Sequence, residues 1–408
     1  MRIAILTSGI LPVPAVRGGA VETLTDYYLE YNGTHGLHDI TVYSIHHKEV
    51  GCQQETDCHN GIGNHYQYID TNSLFAKAGK QVTRLLHKLT PYHYSIEYFF
   101  RQALRKIACQ HYDVIIIENR PGFGPGLRKK TDALLVYHLH NDMLNASTWH
   151  NSEIYQAATK IITVSDYIKN RVQTCCLHDT KTATVYNGID IAQFSTDEAI
   201  SRKALGFNAD DFVLAFSGRL IPEKGILELI EAMTKLASCP KIKLMVMGSS
   251  FYGINNDEGG FIQKLKSMAD TLSDRIVFTG YVRHEDMGKY LRAADVAVLP
   301  STWDEPFGLT IVEGMAAGLP VITTNRGGIP EIVSEENAII LPYPANPGND
   351  DDNEGKLSGQ IADAILSLYR DAGKRAAMGR ASQEAAAKFS KEAYARNFFE
   401  AIATVRDL

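Results

Sequence analysis

Two carboxylates in the second half of the chain stand at a spacing that suits recognition of hydroxyl pairs. Glu305 and Glu313 are eight residues apart in EPFGLTIVE, and Pro306, Phe307 and Gly308 predict a turn before a helix that carries Glu313. Eight residues is about two helical turns, so the spacing predicts one carboxylate at the mouth of a site and the other further along the same face. Each carboxylate accepts hydrogen bonds from two hydroxyl groups, as binding of a ribose and a hexose requires.

The start of the same helix also predicts an anion site, because the first N–H groups of a helix have no partner within it. The groups concerned are those of Phe307, Gly308, Leu309 and Thr310. An alternative needs no ligand: Glu305 complements the helix dipole and Glu313 is solvated. The small residues at 314–318 disfavour this alternative, because they predict a tightly packed helix.

A pair of cations lies earlier, where an apolar strand is predicted to end. Arg219 and Lys224 occur in GRLIPEKG, flanked by Gly218 and Gly225. Open α/β sheets bind ligands at the carboxyl ends of their strands, and two cations there would neutralise a diphosphate. Two surface cations without a ligand are the alternative.

A glycine pair after the first predicted strand has two interpretations. Gly18 and Gly19 open a predicted helix, where glycine lets backbone N–H groups approach an oxyanion. A tight turn without a ligand explains the pair equally well, since the spacing is not that of a dinucleotide-binding fold.

The elements that must position these residues alternate between short apolar strands and longer helical stretches, which predicts parallel sheets of the α/β class. Two series of strands are predicted, so we expect two sheets, with a boundary near residues 190–205. The first series is 3–7, 40–44, 114–118, 134–138, 160–164 and 183–186. The second is 212–217, 243–247, 276–279, 296–300, 321–324 and 338–341.

Composition excludes several classes of protein. The chain has 408 residues, 45% hydrophobic and 22% charged, with a net charge of -6, so we expect a folded protein of two domains that does not coat nucleic acid. The sequence contains no run of about 18 apolar residues, so it predicts no membrane-spanning helix. The six cysteines show no zinc spacing and favour a reduced compartment, so we expect a cytoplasmic location.

A basic segment in the first half carries aromatic and aliphatic residues between its cations. It runs from Lys77 to Arg105. Such a surface suits peripheral contact with an anionic membrane at the inner face of the cell membrane. An ordinary helical layer with solvated lysines is the alternative.

The motifs resemble those of the retaining, nucleotide-sugar-dependent glycosyltransferases of family 4, in order from residue 1 to about residue 345. They are Gly18 and Gly19 with Glu22, Ser165 to Lys169, VYNGID at 185–190, SGRLIPEKG at 217–225, TGYV at 279–282 and EPFGLTIVE at 305–313. Residues 45–130 depart from the family pattern. The resemblance implies the GT-B fold, an α/β fold of two Rossmann-like domains facing a central cleft. We expect an acceptor-side domain at 1–195, a nucleotide-sugar-binding domain at 196–387, and a C-terminal helix at about 388–408 that packs back on the first.

The resemblance also implies a role for each motif residue. Arg219 and Lys224 would bind the diphosphate leaving group in place of a metal, Glu313 the ribose, and Glu305 the donor sugar near its 3- or 4-hydroxyl. His140 would contact the donor sugar, although His138 lies two residues away on the same side of a strand and either is a candidate. The implied donor-binding set also contains Gly18, Gly19, Gly218, Phe307, Gly308, Leu309 and Thr310.

The implied enzyme is a retaining hexosyltransferase. It would move a hexose-type sugar from a nucleoside diphosphate sugar, UDP-sugar favoured over GDP-sugar, to a glycan or lipid-linked acceptor in bacterial surface polysaccharide or glycoconjugate synthesis. We expect no cofactor and no metal, and the spacing of His46, His47, Cys58 and His59 matches no familiar ligand set. A sugar-nucleotide epimerase of the same architecture and a non-catalytic sugar-nucleotide-binding protein are the alternatives.

Overall fold

The computed structural model describes most of the chain. The described residues are 1–50, 63–73, 76–79, 81, 97–176, 178–196, 198–249, 260–272, 275–344 and 356–407. They form two units: Met1–Gly188 together with Lys391–Leu408, and Ile189–Ser390. Each unit has its own parallel sheet and its own core.

The first unit is built on a seven-stranded sheet in which all neighbouring strands are parallel. The strands are β1 (Arg2–Leu6), β2 (Asp39–Ile45), β3 (Asn64–Ile69), β4 (Val114–Glu118), β5 (Leu134–Leu139), β6 (Lys160–Thr163) and β7 (Thr182–Thr184). Their order is β3-β2-β1-β4-β5-β6-β7. The central strand β4 is buried at every position, as expected of a parallel strand covered on both faces.

Helices connect most of these strands in the described part of the first unit. They are α1 (Ala20–His35), α2 (Tyr98–Ile107), α3 (Gly124–Arg128), α4 (Asn151–Ala157) and α5 (Asp166–Gln173). Local sequence sets the start of α5, where the hydroxyl of Ser165 accepts a hydrogen bond of 3.2 Å from the Ile168 N–H.

The second unit has a six-stranded sheet, also parallel throughout. The strands are β8 (Phe212–Ser217), β9 (Ile242–Met247), β10 (Ile276–Gly280), β11 (Val296–Leu299), β12 (Val321–Thr324) and β13 (Ala338–Leu341). Their order is β10-β9-β8-β11-β12-β13. The order reverses between β8 and β11, and ligands bind at such a switch point in open α/β sheets.

The helices of the second unit begin at the domain boundary. They are α6 (Ile191–Phe194), α7 (Ile226–Lys235), α8 (Gly260–Asp270), α9 (His284–Leu291), α10 (Leu309–Ala316), α11 (Lys356–Arg370) and α12 (Ala372–Ala386). Helix α6 packs against α9 and α10, which places residues 191–194 in the second unit rather than in the expected first domain at 1–195.

The last helix, α13 (Lys391–Ala403), belongs to the first unit and packs on α1. Phe398 is fully buried, and its ring stacks on Tyr28 with the centroids 4.4 Å apart. Apolar burial and aromatic stacking therefore hold α13 against α1.

Every strand that the sequence predicted is present, within one or two residues at its ends. Strand β3 was not predicted. Its sequence, NHYQYI, has no run of Val or Ile, and its middle positions alternate between exposed and partly buried because it lies at the sheet edge. An edge strand needs less apolar surface than a central one.

The sequence predicts no membrane-spanning helix and a basic segment that contacts a membrane surface. No helix among the described residues has the length and apolar character needed to cross a bilayer. In the basic segment, Lys77 is exposed and Arg101 and Arg105 lie on α2. The cations Lys80, Arg84 and Lys88 lie outside the described residues.

The stacking of Phe398 predicts a large effect on stability. Phe398→Ala removes a fully buried ring and should lower the free energy of unfolding by about 3 to 5 kcal/mol. Urea denaturation followed by circular dichroism measures the change. Arg396→Ala is the control, since this side chain on the same helix is 57% exposed and the change should stay within about 0.5 kcal/mol. Equal losses in both variants would contradict the docking of α13.

Candidate active site

The predicted site residues of the second unit gather at the carboxyl edge of its sheet, around the switch point. Gly218 and Arg219 directly follow β8, and Lys224 ends a short 3-10 helix, Pro222–Lys224. Glu305 lies in the loop after β11. Two loops on adjacent strands thus carry the charged residues.

An ion pair joins these two loops. The Lys224 Nζ lies 2.5 Å from Oε1 of Glu305, and the Ser301 hydroxyl donates to the same oxygen at 2.9 Å. Glu305 is only 7% exposed. A carboxylate so far from water needs a cation and hydrogen-bond donors, and Lys224 and Ser301 supply them.

Backbone contacts fix the loops against each other as well. The Thr302 N–H donates to the carbonyl oxygen of Glu223 at 3.0 Å, and the Ser301 Oγ lies 3.1 Å from the same oxygen. Gly225 has φ 70°, and a Cβ there would overlap the carbonyl oxygen of Pro300. Glycine is required at this position both for its left-handed backbone and for the close approach of the strand end.

The two carboxylates of the Glu-x7-Glu segment do not share a helical face, which corrects the expectation from their spacing. Helix α10 begins at Leu309, so Glu305 lies in the preceding loop and only Glu313 is on the helix. Glu313 is 7% exposed. The turn at Pro306 to Gly308 separates the carboxylates, so each has a different basic partner: Lys224 for Glu305 and a histidine for Glu313.

The histidine is His284, which sequence reasoning missed. Its Nε2 lies 3.4 Å from Oε1 of Glu313, and its Nδ1 lies 3.2 Å from the Gln193 amide nitrogen. Burial alone would lower the pKa of His284, but the Glu313 carboxylate and Asp190 raise it above its usual value. Its place two residues after TGYV, at the start of the next helix, was the available signal.

The predicted anion-binding turn opens α10 as expected. Gly308 caps the helix with φ 115°, and Leu309 and Thr310 supply its first N–H groups. The Phe307 ring is buried and lies edge-on to Phe389, with the ring centroids 5.7 Å apart. Phe307 therefore anchors the turn, while the N–H groups after it begin the helix.

In the first unit, Gly18 and Gly19 form the turn into α1, as predicted. Gly19 is the N-cap with φ 107°, and a Cβ there would overlap the Glu22 carboxyl group. Glu22 is buried and accepts a hydrogen bond of 3.4 Å from the Ser8 hydroxyl. Burial raises the pKa of Glu22 to about 7, so this carboxyl holds a proton for part of the time near neutral pH.

His138 and His140 point to the same side, as the strand period predicts, and meet a buried glutamate that the sequence did not single out. Glu118 Oε2 lies 3.1 Å from Nδ1 of His138 and 2.9 Å from Nε2 of His140, while the Tyr28 hydroxyl donates to Oε1 at 2.8 Å. Burial would raise the pKa of Glu118, but the two imidazoles lower it.

Burial decides the charge of His140. Burial lowers its pKa to about 4, so the ring is neutral at pH 7 and donates through Nε2 to Glu118. His140 is 7% exposed and His138 fully buried. Of the two, His140 is the one with any access to a ligand.

Within the described residues, Glu118, His138 and His140 also form a group of side chains that could hold a metal ion. The ligand atoms of Glu118, His138 and His140 lie within 4.8 Å of one another. The outer ring nitrogens, Nε2 of His138 and Nδ1 of His140, are buried without a partner in the described part of the chain. Metal-bound imidazoles normally donate that N–H to another group, so the cluster fits a hydrogen-bonded network better than a metal centre. Cys58 and His59 lie outside the described residues.

Each unit therefore places its own set of predicted residues at one sheet edge. In the second unit this edge combines two cations, two buried carboxylates and the start of a helix. Cations and helix N–H groups bind phosphate oxygens, and carboxylates bind hydroxyl groups. The arrangement suits a ligand that carries both phosphates and sugars.

Comparison with known proteins agrees with this chemistry. The family model for glycosyl transferases group 1 matches residues 197–385, and the model for glycosyltransferase family 4 matches residues 38–193. Spore coat protein SA of Bacillus subtilis is 28% identical over 97% of this chain and 98% of its own. The lipopolysaccharide 1,2-N-acetylglucosaminetransferase of Salmonella typhimurium is 26% identical, over 80% of this chain and 83% of its own.

The fold has a solved counterpart. The crystal structure of Anabaena Alr3699/HepE in complex with UDP and glucose superposes with a TM-score of 0.69, at 22% identity, over 99% of this chain and all of the other. The two parallel-sheet domains are thus those of the GT-B fold. The chain belongs to the family 4 type of GT-B glycosyltransferases and is a transferase enzyme.

Proposed function

We propose that the protein is a retaining hexosyltransferase that uses a nucleoside diphosphate sugar, with UDP-sugar favoured over GDP-sugar. Its acceptor is a glycan or a lipid-linked glycan in bacterial surface polysaccharide or glycoconjugate synthesis. The observation that carries the proposal is the contact of Lys224 with Glu305, which puts the cation of one motif beside the carboxylate of the other.

In this proposal, Arg219 and Lys224 bind the diphosphate of the donor. Both follow β8 at the switch point, where Gly218 leaves room for the chain to turn. Sugar transfer builds negative charge on the departing diphosphate, and cations fixed in advance lower the barrier by stabilising that charge. The N–H groups of Leu309 and Thr310 add partial positive charge from the start of α10.

In the same proposal, Glu305 and Glu313 bind the two sugars of the donor. Glu313 accepts hydrogen bonds from the ribose, and Glu305 from the transferred hexose near its 3- or 4-hydroxyl. The Glu305 charge is already shared with Lys224 and Ser301, so Glu305 orients a hydroxyl group rather than attacking the sugar carbon. For His140, Gly18 and Gly19 of the first unit, a contact with the donor stays a prediction from the resemblance.

Retention follows from attack on the same face of the sugar that the diphosphate leaves. The acceptor hydroxyl forms a bond to the anomeric carbon as the bond to the phosphate oxygen breaks, and the leaving phosphate takes the acceptor proton. No protein side chain is assigned as a general base. The cationic charge of Arg219 and Lys224 takes the place of a metal ion, so the reaction is proposed to need none.

The choice of donor and acceptor is supported by the relatives. Anabaena Alr3699/HepE has been crystallised with UDP and with UDP-glucose. The Salmonella relative is a lipopolysaccharide N-acetylglucosaminetransferase, and its name supports a lipid-linked glycan acceptor. A nucleotide-sugar donor fits a cytoplasmic enzyme that works at the inner face of the cell membrane.

Loss of either cation should abolish most of the transfer. We expect Arg219→Ala and Lys224→Ala to lower turnover at saturating donor by about 100-fold or more, because each removes charge stabilisation from the leaving group. Release of nucleoside diphosphate measures turnover. Lys235→Ala, at the exposed end of α7, should behave as the native enzyme.

Stability and activity must be separated for Lys224. Its removal leaves buried Glu305 without a cation and should lower stability by up to about 3 kcal/mol, whereas Arg219 is not part of that ion pair. Circular dichroism and urea denaturation test whether the variants remain folded under assay conditions. Near-native turnover of folded Arg219→Ala or Lys224→Ala would disprove the diphosphate assignment.

Metal independence is a separate expectation. Activity should persist in excess EDTA, because two cations stand where other transferases use a metal ion to neutralise the diphosphate. The assay compares initial rates before and after chelation, and again after addition of Mn²⁺. Complete loss with EDTA that Mn²⁺ restores would overturn this part of the proposal.

Membrane attachment is tested on the basic segment. If it binds anionic lipid at about 1 kcal/mol per basic residue, the native protein should co-sediment with anionic liposomes and salt should release it. Replacement of Lys77, Lys80, Arg84 and Lys88 by Glu should abolish co-sedimentation. Equal sedimentation of that variant, or none of the native protein, would show that the acceptor comes to a detached enzyme.

A further inference from the structure

His284 of the second unit contacts a predicted site residue, Glu313, but belongs to none of the sequence motifs. It is the first residue of α9, and its side chain is 46% exposed. Glu313, which faces it from α10, is 9% exposed in its side chain. A half-exposed imidazole therefore contacts a nearly buried carboxylate at the carboxyl edge of the sheet.

The contact involves one oxygen of that carboxylate. Nε2 of His284 lies 3.4 Å from Oε1 of Glu313. The other oxygen, Oε2, has no hydrogen-bond or ion-pair partner within the part of the chain that the structure describes. Glu313 thus has one oxygen beside the imidazole and a second oxygen available to a ligand.

Gln193 on α6 fixes the orientation of the imidazole. Its amide nitrogen lies 3.2 Å from Nδ1 of His284 and also donates to the His284 carbonyl oxygen. Turning the amide over would set its oxygen against that carbonyl oxygen. The hydrogen-bond network therefore assigns Nδ1 as the acceptor from Gln193 and places the ring proton on Nε2, toward Glu313.

Packing keeps this arrangement in place. A Cβ on Gly288, one turn along α9, would overlap the Gln193 carbonyl oxygen, so α6 and α9 approach as closely as backbone allows. The Phe194 ring lies edge-on to His284, with the centroids 5.5 Å apart. Burial lowers the pKa of His284, while Glu313 and Asp190 raise it above its usual value; in the neutral ring the proton on Nε2 faces Glu313.

We propose that His284 is a positioning residue for recognition of the donor's ribose: it holds Oε1 of Glu313 and leaves Oε2 to accept the ribose hydroxyl groups. The inference rests on the proposed role of Glu313. It goes beyond that role because it makes His284 responsible for the orientation of the Glu313 carboxylate. His284 itself does not touch the nucleotide in this proposal. The orientation that it sets gives the preference for a ribonucleotide over a deoxyribonucleotide.

The test measures nucleotide binding rather than turnover. UDP, GDP and ADP are titrated into the native protein by calorimetry, and the tightest binder is then compared with its 2′-deoxy form. We expect the native protein to bind the ribonucleotide about tenfold more tightly, as loss of a hydrogen bond to a charged group implies. His284→Ala should reduce this ratio to near one, whereas His284→Gln, which can still donate an N–H to Glu313, should retain most of it.

Two further variants separate the possible outcomes. Lys289→Ala changes an exposed cation on the same helix and should keep the native ratio. If Glu313→Ala loses the preference and folded His284→Ala keeps it, the positioning role of His284 is disproved while the role of Glu313 stands. If Glu313→Ala keeps the native preference, or none of the three nucleotides binds the native protein, the proposed donor site itself fails.

Discussion

The ion pair between Lys224 and Glu305 is the contact on which the second unit's site depends. It joins the loops after β8 and β11, the strands on either side of the switch point, and it gives a cationic partner to a carboxyl group of a residue that is only 7% exposed. Ser301 and the close approach at Gly225 hold the same two loops together. Because the pair offsets its own charges, the two loops are fixed before a ligand enters, and under the proposed function this lowers the reorganisation needed when charge develops on the leaving group.

The same physical rule shapes the other polar positions at both sheet edges. Parallel strands buried on both faces leave their carboxyl ends as the place where polar side chains collect, and each buried charge there has partners. Glu118 is held by two imidazoles and a tyrosine, and Glu313 by His284. Burial then sets the charge of the neighbours, since it lowers the pKa of His140 to about 4 and raises that of Glu22 to about 7.

Much of the fold was predictable because its signals are local. Short apolar runs predicted the described strands other than β3, whose edge position removes the need for a continuous apolar run. The site was predictable in part, because Arg219, Lys224, Glu305 and Glu313 stand in short motifs. Their pairing was not, since a turn at Pro306 to Gly308 sends Glu305 toward Lys224 rather than along the helix with Glu313.

The sequence by itself determined the α/β class, the two sheets, the motif residues and the resemblance to family 4. These depend on residue type and on short spacing, which the chain displays directly. Tertiary structure alone decided that Glu118 joins His138 and His140, and that His284, itself held by Gln193, reaches Glu313 from another helix. Such partners are far apart in the chain, and only the packing of helices and strands at a common sheet edge brings their side chains within hydrogen-bond distance.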